Sequence, residues 1–544
     1  MQFIKNLPLP DLSVTRGQNR LAWLLIFVFI VFVSLTAQQK TLMADEAKHF
    51  RYGMNILNGD STRFDDSKMP VSALNALPAK LASFLPEGKL RASIEKIFAA
   101  RFVTILFSAL IAFGVFFWSR KLYGAAPAFA SLILYLLDPN IIAHSIFVAT
   151  DVFVTGMILF STCCLWKFAN DKSGRNFILF ALALGLSQLA KYTAVSLYPL
   201  LFLALFFHDL PQLRKQTRSE NVNYLKRFFL WLLLAFVIGL VIINIGFLFN
   251  RTFTPFGAYQ FRSETFQSLQ AALPILRNVP VPAPYPYLEG FDWILQREAT
   301  GQGYGNLYLL GVVHPVKGFA GYYFIASLLK VPIATQIVIL ASLVVYFGDK
   351  NRRRNLLKHE VFLLLPVLFY TIYFNFFYNA QLGIRFYLVV FPLLYVFAGN
   401  LFQNWSGFSR NQRLAVYALG VYLLVSVLSY YPHYIPYFNE FIWDRRTAYK
   451  YLADSNIDWE QAQEYLKKYE REHPEAIISP RNKITSGLIV VNANDLAGVT
   501  EKPEMYQWLR ENFEPVDTIA YGYLVYEITP EQIDHLCAVT DYCR

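Results

Sequence analysis

The chain has 544 residues, of which 55% are hydrophobic and only 16% charged, against roughly 25% charged in soluble globular proteins. A mean hydropathy of +0.34 and an aromatic share of 17% exclude a disordered chain and argue against an ordinary soluble enzyme. The net charge of +11 decides nothing about nucleic acid by itself, because Lys and Arg also gather in the cytoplasmic loops of membrane proteins, and four Cys are too few for a disulfide scaffold.

These numbers predict a polytopic α-helical membrane protein. Runs near the length of about 20 apolar residues needed to cross a bilayer fall at 21–38, 98–118, 125–143, 152–168, 176–190, 192–208, 228–249, 318–347, 361–379, 384–402 and 413–431. The first run is followed by Gln38-Gln39-Lys40 without a small-x-small cleavage site, and reads as a retained anchor. About eleven spans put the termini on opposite sides. The ends and loops this scheme gives to the cytoplasm hold twenty Lys and Arg, from Lys5 through the Arg352-Arg353-Arg354 run to Arg413. The short loops on the other face hold only Lys191 and Arg385. The positive-inside rule therefore predicts a cytoplasmic N-terminus and an extracytoplasmic C-terminus.

Three outer segments, 39–97, 250–317 and 432–544, are too long for connectors. In the last, Gly487 to Val491 reads as a buried strand, Pro503 to Asn512 as a helix and Thr518 to Thr529 as a second strand, before a final helix from about Pro530. The predicted organisation is a transmembrane domain over 1–431 and a small α/β domain over 432–544. Cys163 and Cys164 read as packing residues in a span, while Cys537 and Cys543 lie outside, where a disulfide is open to them.

The charged residues at the outer surface are the candidates for chemistry. Asp45-Glu46 follows the first span, and a carboxylate held in hydrocarbon costs roughly 2.5–3.5 kcal/mol. The pair reads either as a solvated loop start or as a general base beside a second acid that orients substrate. Helical spacing puts Asp45, Lys48 and His49 on one face. Phe64-Asp65-Asp66-Ser67-Lys68-Met69-Pro70 closes the polar part of this loop. Asp151 opens the fourth span on the same side, and Asp138, before Pro139, reads first as a turn former. Lys191 and Arg385 are isolated cations where cations are scarce. Snorkelling explains one of them easily and two less well, and both suit an anionic group such as a phosphate. There is no Walker-type loop and no His-Glu-x-x-His, and Gly301-Gln302-Gly303-Tyr304-Gly305 misses the dinucleotide spacing.

Together these pieces resemble GT-C fold membrane glycosyltransferases, in the branch of protein O-mannosyltransferases and aminoarabinose transferases (a bacterial glycosyltransferase family 39-like branch). Asp45-Glu46 resembles the family's acidic pair, Lys68-Met69-Pro70 its loop motif, Thr150-Asp151 its second acidic site, Ala190-Lys191-Tyr192-Thr193 its Lys motif and Gly383-Ile384-Arg385-Phe386-Tyr387 its Gly-x-Arg-Tyr. Tyr308-Leu309-Leu310-Gly311, Tyr322-Tyr323 and Leu329-Lys330-Val331-Pro332 follow a bacterial pattern. Tyr437-Phe438-Asn439-Glu440 and Asp454-Ser455-Asn456-Ile457-Asp458-Trp459-Glu460-Gln461 look like the bacterial YFNE and DSNxDWGQ signature. Glu460 departs from the usual Gly, and Trp443-Asp444-Arg445 stands where a Gly-Gly pair is common.

The resemblance implies inverting transfer of one sugar from a polyprenyl-phosphate donor to a protein, lipid or polysaccharide acceptor on the outer face of a bacterial cytoplasmic membrane. Asp45, Glu46 and Asp151 are the candidate catalytic residues. Lys191, Arg385 and Lys68 are candidates for the donor phosphate, and Lys48, His49, Asp454, Asn456 and Asp458 for other substrate contacts. No cofactor is named, a divalent metal stays open, and no nucleic-acid partner is expected. An O-antigen ligase or polymerase, or a secondary transporter, is the alternative.

Overall fold

The computed structural model describes residues 16–60, 68–481, 483–540 and 542–543, so Phe64 to Ser67 of the Lys68 loop lie outside the described residues. Among those described, eight helices are long and apolar enough to cross a membrane, or ten if each of two bent pairs is one span. They are Gly17–Gln38, Ile97–Tyr123, Asp151–Asn170, Tyr192–Leu213, Arg218–Gly246, Leu356–Phe376, Ile384–Phe402 and Arg410–Leu428. The protein is a multi-pass helical membrane protein.

The difference from eleven lies in three places. The run at 176–190 is an apolar helix, Gly174–Ser187, too short to count. The run at 125–143 is Ala125–Leu136 joined to Pro139–Ser145 at 60°, and the run at 318–347 is Tyr322–Lys330 joined to Ile333–Gly348 at 117°. Each bend has a local cause. Asp138 accepts the backbone N–H groups of Asn140 and Ile141 and so restarts the helix behind Pro139. Pro332 cannot continue the hydrogen-bond ladder of its helix, and the freed carbonyls are taken over from a distance. Asn439 Nδ2 donates to Leu328 O at 2.6 Å and Val331 O at 2.7 Å, and its backbone N–H donates to Leu329 O. Glu440 accepts from the Ser426 hydroxyl and from Tyr422, which fastens the same segment to the last span.

Outside the spans, strands β1 (Leu307–Leu309) and β2 (Val312–His314) form an antiparallel pair within 250–317. The tail carries β3 (Ile477–Ile478), β4 (Gly487–Asn492), β5 (Asp517–Ile519) and β6 (Tyr523–Ile528) in the order β3-β4-β6-β5. The stretch expected as one strand from Thr518 is therefore a hairpin. The turn is Ala520-Tyr521-Gly522, in which Ala520 and Tyr521 take positive φ, 51° and 58°, and Gly522 is the one customary turn residue. The helix expected from Pro503 begins only at Gln507, whereas the final helix does start at Pro530. Cys537 and Cys543 are joined in a disulfide. Ile489, Leu524 and Tyr526 of the sheet belong to the same continuous apolar core as the spans. Arg445 fixes the tail further, stacking on Tyr430 at 3.9 Å and donating to Ser429 O and Tyr521 Oη.

Glu460 sits at φ +68°, in the left-handed region that costs a side chain about 1–2 kcal/mol, which accounts for Gly as the usual residue there. Its backbone carbonyl accepts from Thr41, a contact that glycine keeps. Glu460→Gly should therefore raise stability by about 1 kcal/mol, seen as a higher Tm in detergent with unchanged Thr41→Ala sensitivity.

Candidate active site

The two carboxylates after the first span have opposite fates. Glu46 is fully buried, and Arg101 grips both its oxygens, Nε to Oε1 at 2.9 Å and Nη2 to Oε2 at 2.6 Å. The backbone N–H groups of Met43 and Val148 complete its shell at 2.9 Å each. The same guanidinium donates to the carbonyls of Ala37, Lys40 and Thr41, so the Arg101–Glu46 pair clamps the whole 37–46 linker. Sequence reasoning missed Arg101; the signal was a lone cation near the start of an apolar span.

With Glu46 turned inward, Asp45 faces out. Its carboxylate keeps 30% exposure and makes no cap to the helix Glu46–Leu57 that it precedes. Lys68 Nζ lies 3.8 Å from Oδ1 and Arg385 Nη1 lies 4.0 Å from Oδ2. Both distances exceed a hydrogen bond, so the cations attract the carboxylate without locking it. The face expected to join Asp45, Lys48 and His49 is split: Lys48 is exposed, while His49 is buried with Nδ1 3.1 Å from Ser72 Oγ.

Arg385 is held by rings. Its guanidinium lies 3.8 Å from the Trp459 ring and 4.9 Å from that of Phe386, and its Nε is buried with no hydrogen-bond partner. Lys191 shares the Phe386 ring at 4.1 Å, but its ammonium is paired with buried Asp151 at 2.7 Å. Asp151 and Lys191 are thus one unit. His144, also buried, lies with its ring 6.3 Å from Trp459, a neighbour that no local pattern singles out.

The tail signature closes over this cluster. Asp454 takes φ +59°, which Asp tolerates, and burial raises its carboxyl against the pull of Arg385. Asn456 is buried beneath Ile384. Asp458 points elsewhere, with Oδ2 accepting from Asn492 at 2.8 Å and Oδ1 buried without a partner. Burial pushes its pKa up to about 6, and Glu460 and Asp495 add to the shift. Near it, burial and the charge of Arg101 lower Lys40 to about 7, while its ammonium contacts His433 Nδ1 at 2.8 Å. Asp45, Lys68, Arg385, Asp151, Lys191 and Asp454 come together; His49 and Asp458 do not join them. Among the described residues no three His, Cys, Asp or Glu side chains group as a metal site.

Because the folded state holds the Asp458 proton more tightly, this residue favours folding below about pH 4, and that advantage is lost as pH rises through about 6. Asp458→Asn should remove the loss. Its Tm should exceed wild type at pH 7.5, by about 3 kcal/mol in stability, and match it near pH 4. An equal Tm difference at both pH values would contradict this.

Residues 88–243 match the family model described as dolichyl-phosphate-mannose-protein mannosyltransferase. That description names the family branch that the Asp45-Glu46 pair and the loop motifs resemble. No curated protein matches the chain significantly. Among solved structures it is similar to ArnT from Cupriavidus metallidurans bound to undecaprenyl phosphate, at 14% identity and a TM-score of 0.48, over 76% of this chain and 66% of that one. It is also similar to the archaeal oligosaccharyltransferase AglB from Archaeoglobus fulgidus, in complex with an inhibitory peptide and a dolichol-phosphate, at 11% identity and a TM-score of 0.47, over 84% of this chain and 60% of that one. The chain thus spans about two thirds or less of the length of these proteins, and at such values the likeness does not bear on substrates.

Proposed function

We propose that the protein transfers a single sugar from a polyprenyl-phosphate donor to an acceptor hydroxyl at the outer membrane surface. The observation that carries this reading is one half-exposed carboxylate, Asp45, between two cations at 3.8 and 4.0 Å, one of which has a buried Nε without a partner. Asp45 takes the acceptor proton as its oxygen attacks the anomeric carbon. The bond from that carbon to the phosphate oxygen breaks, and the polyprenyl phosphate leaves as an anion that Arg385 and Lys68 stabilise. A phosphate is already a good leaving group, so no general acid is needed. A single displacement inverts the anomeric centre. Lys191, oriented by Asp151, adds positive charge behind Phe386.

In this reading 1–431 is the transferase membrane domain, and 432–544 is an outer domain whose leading segment, 432–460, completes the site. The membrane is the bacterial cytoplasmic membrane, with the N-terminus inside. A C-terminal alkaline phosphatase fusion should accordingly be active, and an active cytoplasmic reporter at that position would reverse the orientation. The function is tested by incubating the purified protein with radiolabelled polyprenyl-phosphate sugars and envelope extract. Label should move from the lipid to a glycan, lipid or protein fraction; failure across a panel of sugars would refute the assignment.

A further inference from the structure

Arg385 faces a chemical difficulty. Rings hold its guanidinium and its Nε has no partner, so ring stacking leaves its in-plane direction to be set by the backbone that carries it. That backbone, Leu382 to Arg385, is gripped by one short segment of the tail. Asn456 Oδ1 accepts the Ile384 N–H at 3.1 Å, and Asn456 Nδ2 donates to Tyr322 Oη at 2.8 Å and to Ala453 O at 2.9 Å. Ser455 Oγ donates to Leu382 O, and a Cβ on Gly383, whose φ is +113°, would stand 2.4 Å from that hydroxyl. Buried Lys330 donates to the Asn456 carbonyl at 2.6 Å and to Ile435 O at 2.6 Å, anchoring the segment from below. Trp459, three residues on, supplies the ring under Arg385.

We propose that Asn456 is a positioning residue that aims Arg385 at the donor phosphate. The inference rests on the reading of Arg385 as the phosphate ligand. It gives the Asp454–Trp459 segment a job distinct from contacting sugar or acceptor: Asn456 is wholly buried, and its side-chain amide is spent on Ile384, Tyr322 and Ala453. A purely structural asparagine at this position would affect folding and every substrate alike, whereas a positioning residue acts through Arg385 alone.

The test is a double-mutant cycle in the full-length protein in detergent, reading the affinity for undecaprenyl phosphate and the KM for acceptor. Asn456→Ala should weaken undecaprenyl phosphate by about 10-fold, the scale of one lost hydrogen bond transmitted to a charged contact. It should leave acceptor KM unchanged, and in an Arg385→Ala background it should add nothing further. If Asn456→Ala does not fold, Ser455→Ala, which frees Leu382 O from the same grip, should show the same loss and the same non-additivity. Additive losses, or a rise in acceptor KM, would overturn the positioning role while leaving Arg385 as phosphate ligand. An Arg385→Ala protein with unchanged affinity would overturn both.

Discussion

Asp45→Asn should lower turnover at least about 100-fold while the affinity for polyprenyl phosphate does not fall, the scale being that of a lost general base. The substitution keeps the size of the side chain and removes only the basic carboxylate. It also removes a negative charge 3.8 Å from Lys68 and 4.0 Å from Arg385, which makes the site more attractive to an anion. Stability should change little, because Asp45 is half-exposed and caps no helix. Glu46→Gln, one residue along, should behave in the opposite sense. It leaves Arg101 buried without a counter-charge, and losing one partner of a buried pair costs about 3–5 kcal/mol, so its damage should appear in Tm and expression. If Glu46→Gln were stable and inactive while Asp45→Asn stayed active, the roles of the pair would be exchanged.

The second large effect is expected at Arg385. Arg385→Ala removes a guanidinium with an unsatisfied buried N–H, and donor binding should weaken by roughly 1.5–3 kcal/mol, or about 10- to 150-fold. Arg385→Lys should recover charge but not the planar stacking on Trp459 and Phe386, and so recover only part of the loss. Lys191 is a different case. Lys191→Ala strands buried Asp151, so its effect mixes lost positive charge with lost stability. Combining it with Asp151→Asn separates the two, because the pair then leaves together. Unchanged donor affinity in Arg385→Ala would remove the phosphate from this side of the site.

What was legible in the sequence was what local pattern encodes. Apolar runs marked the helices, because hydrocarbon demands length and composition alone. The isolation of Lys191 and Arg385 on the cation-poor face pointed to one surface, and both do converge on the Phe386 ring. The fates of adjacent residues were not legible, because partners distant in the chain decide them. Nothing local distinguishes Asp45 from Glu46; Arg101, 55 residues on, does so by claiming the latter. Likewise the 117° bend at Pro332 is held by Asn439, more than a hundred residues later, and the turn before Arg385 by Ser455 and Asn456. Asp458 sits in the same signature as Asp454 yet faces Asn492, since a 3-10 turn at Asp454–Asn456 rotates the chain between them.

In the proposed reaction Asp45 acts as the base on the acceptor hydroxyl that attacks a lipid-linked sugar. The most direct test of this role is the rate at which purified wild type and Asp45→Asn release polyprenyl phosphate from a radiolabelled polyprenyl-phosphate sugar in the presence of acceptor, with lipid-phosphate binding measured on the same samples. The prediction is release by the wild type, a fall of at least about 100-fold in the variant, and binding by both. Equal release by the two proteins would contradict it.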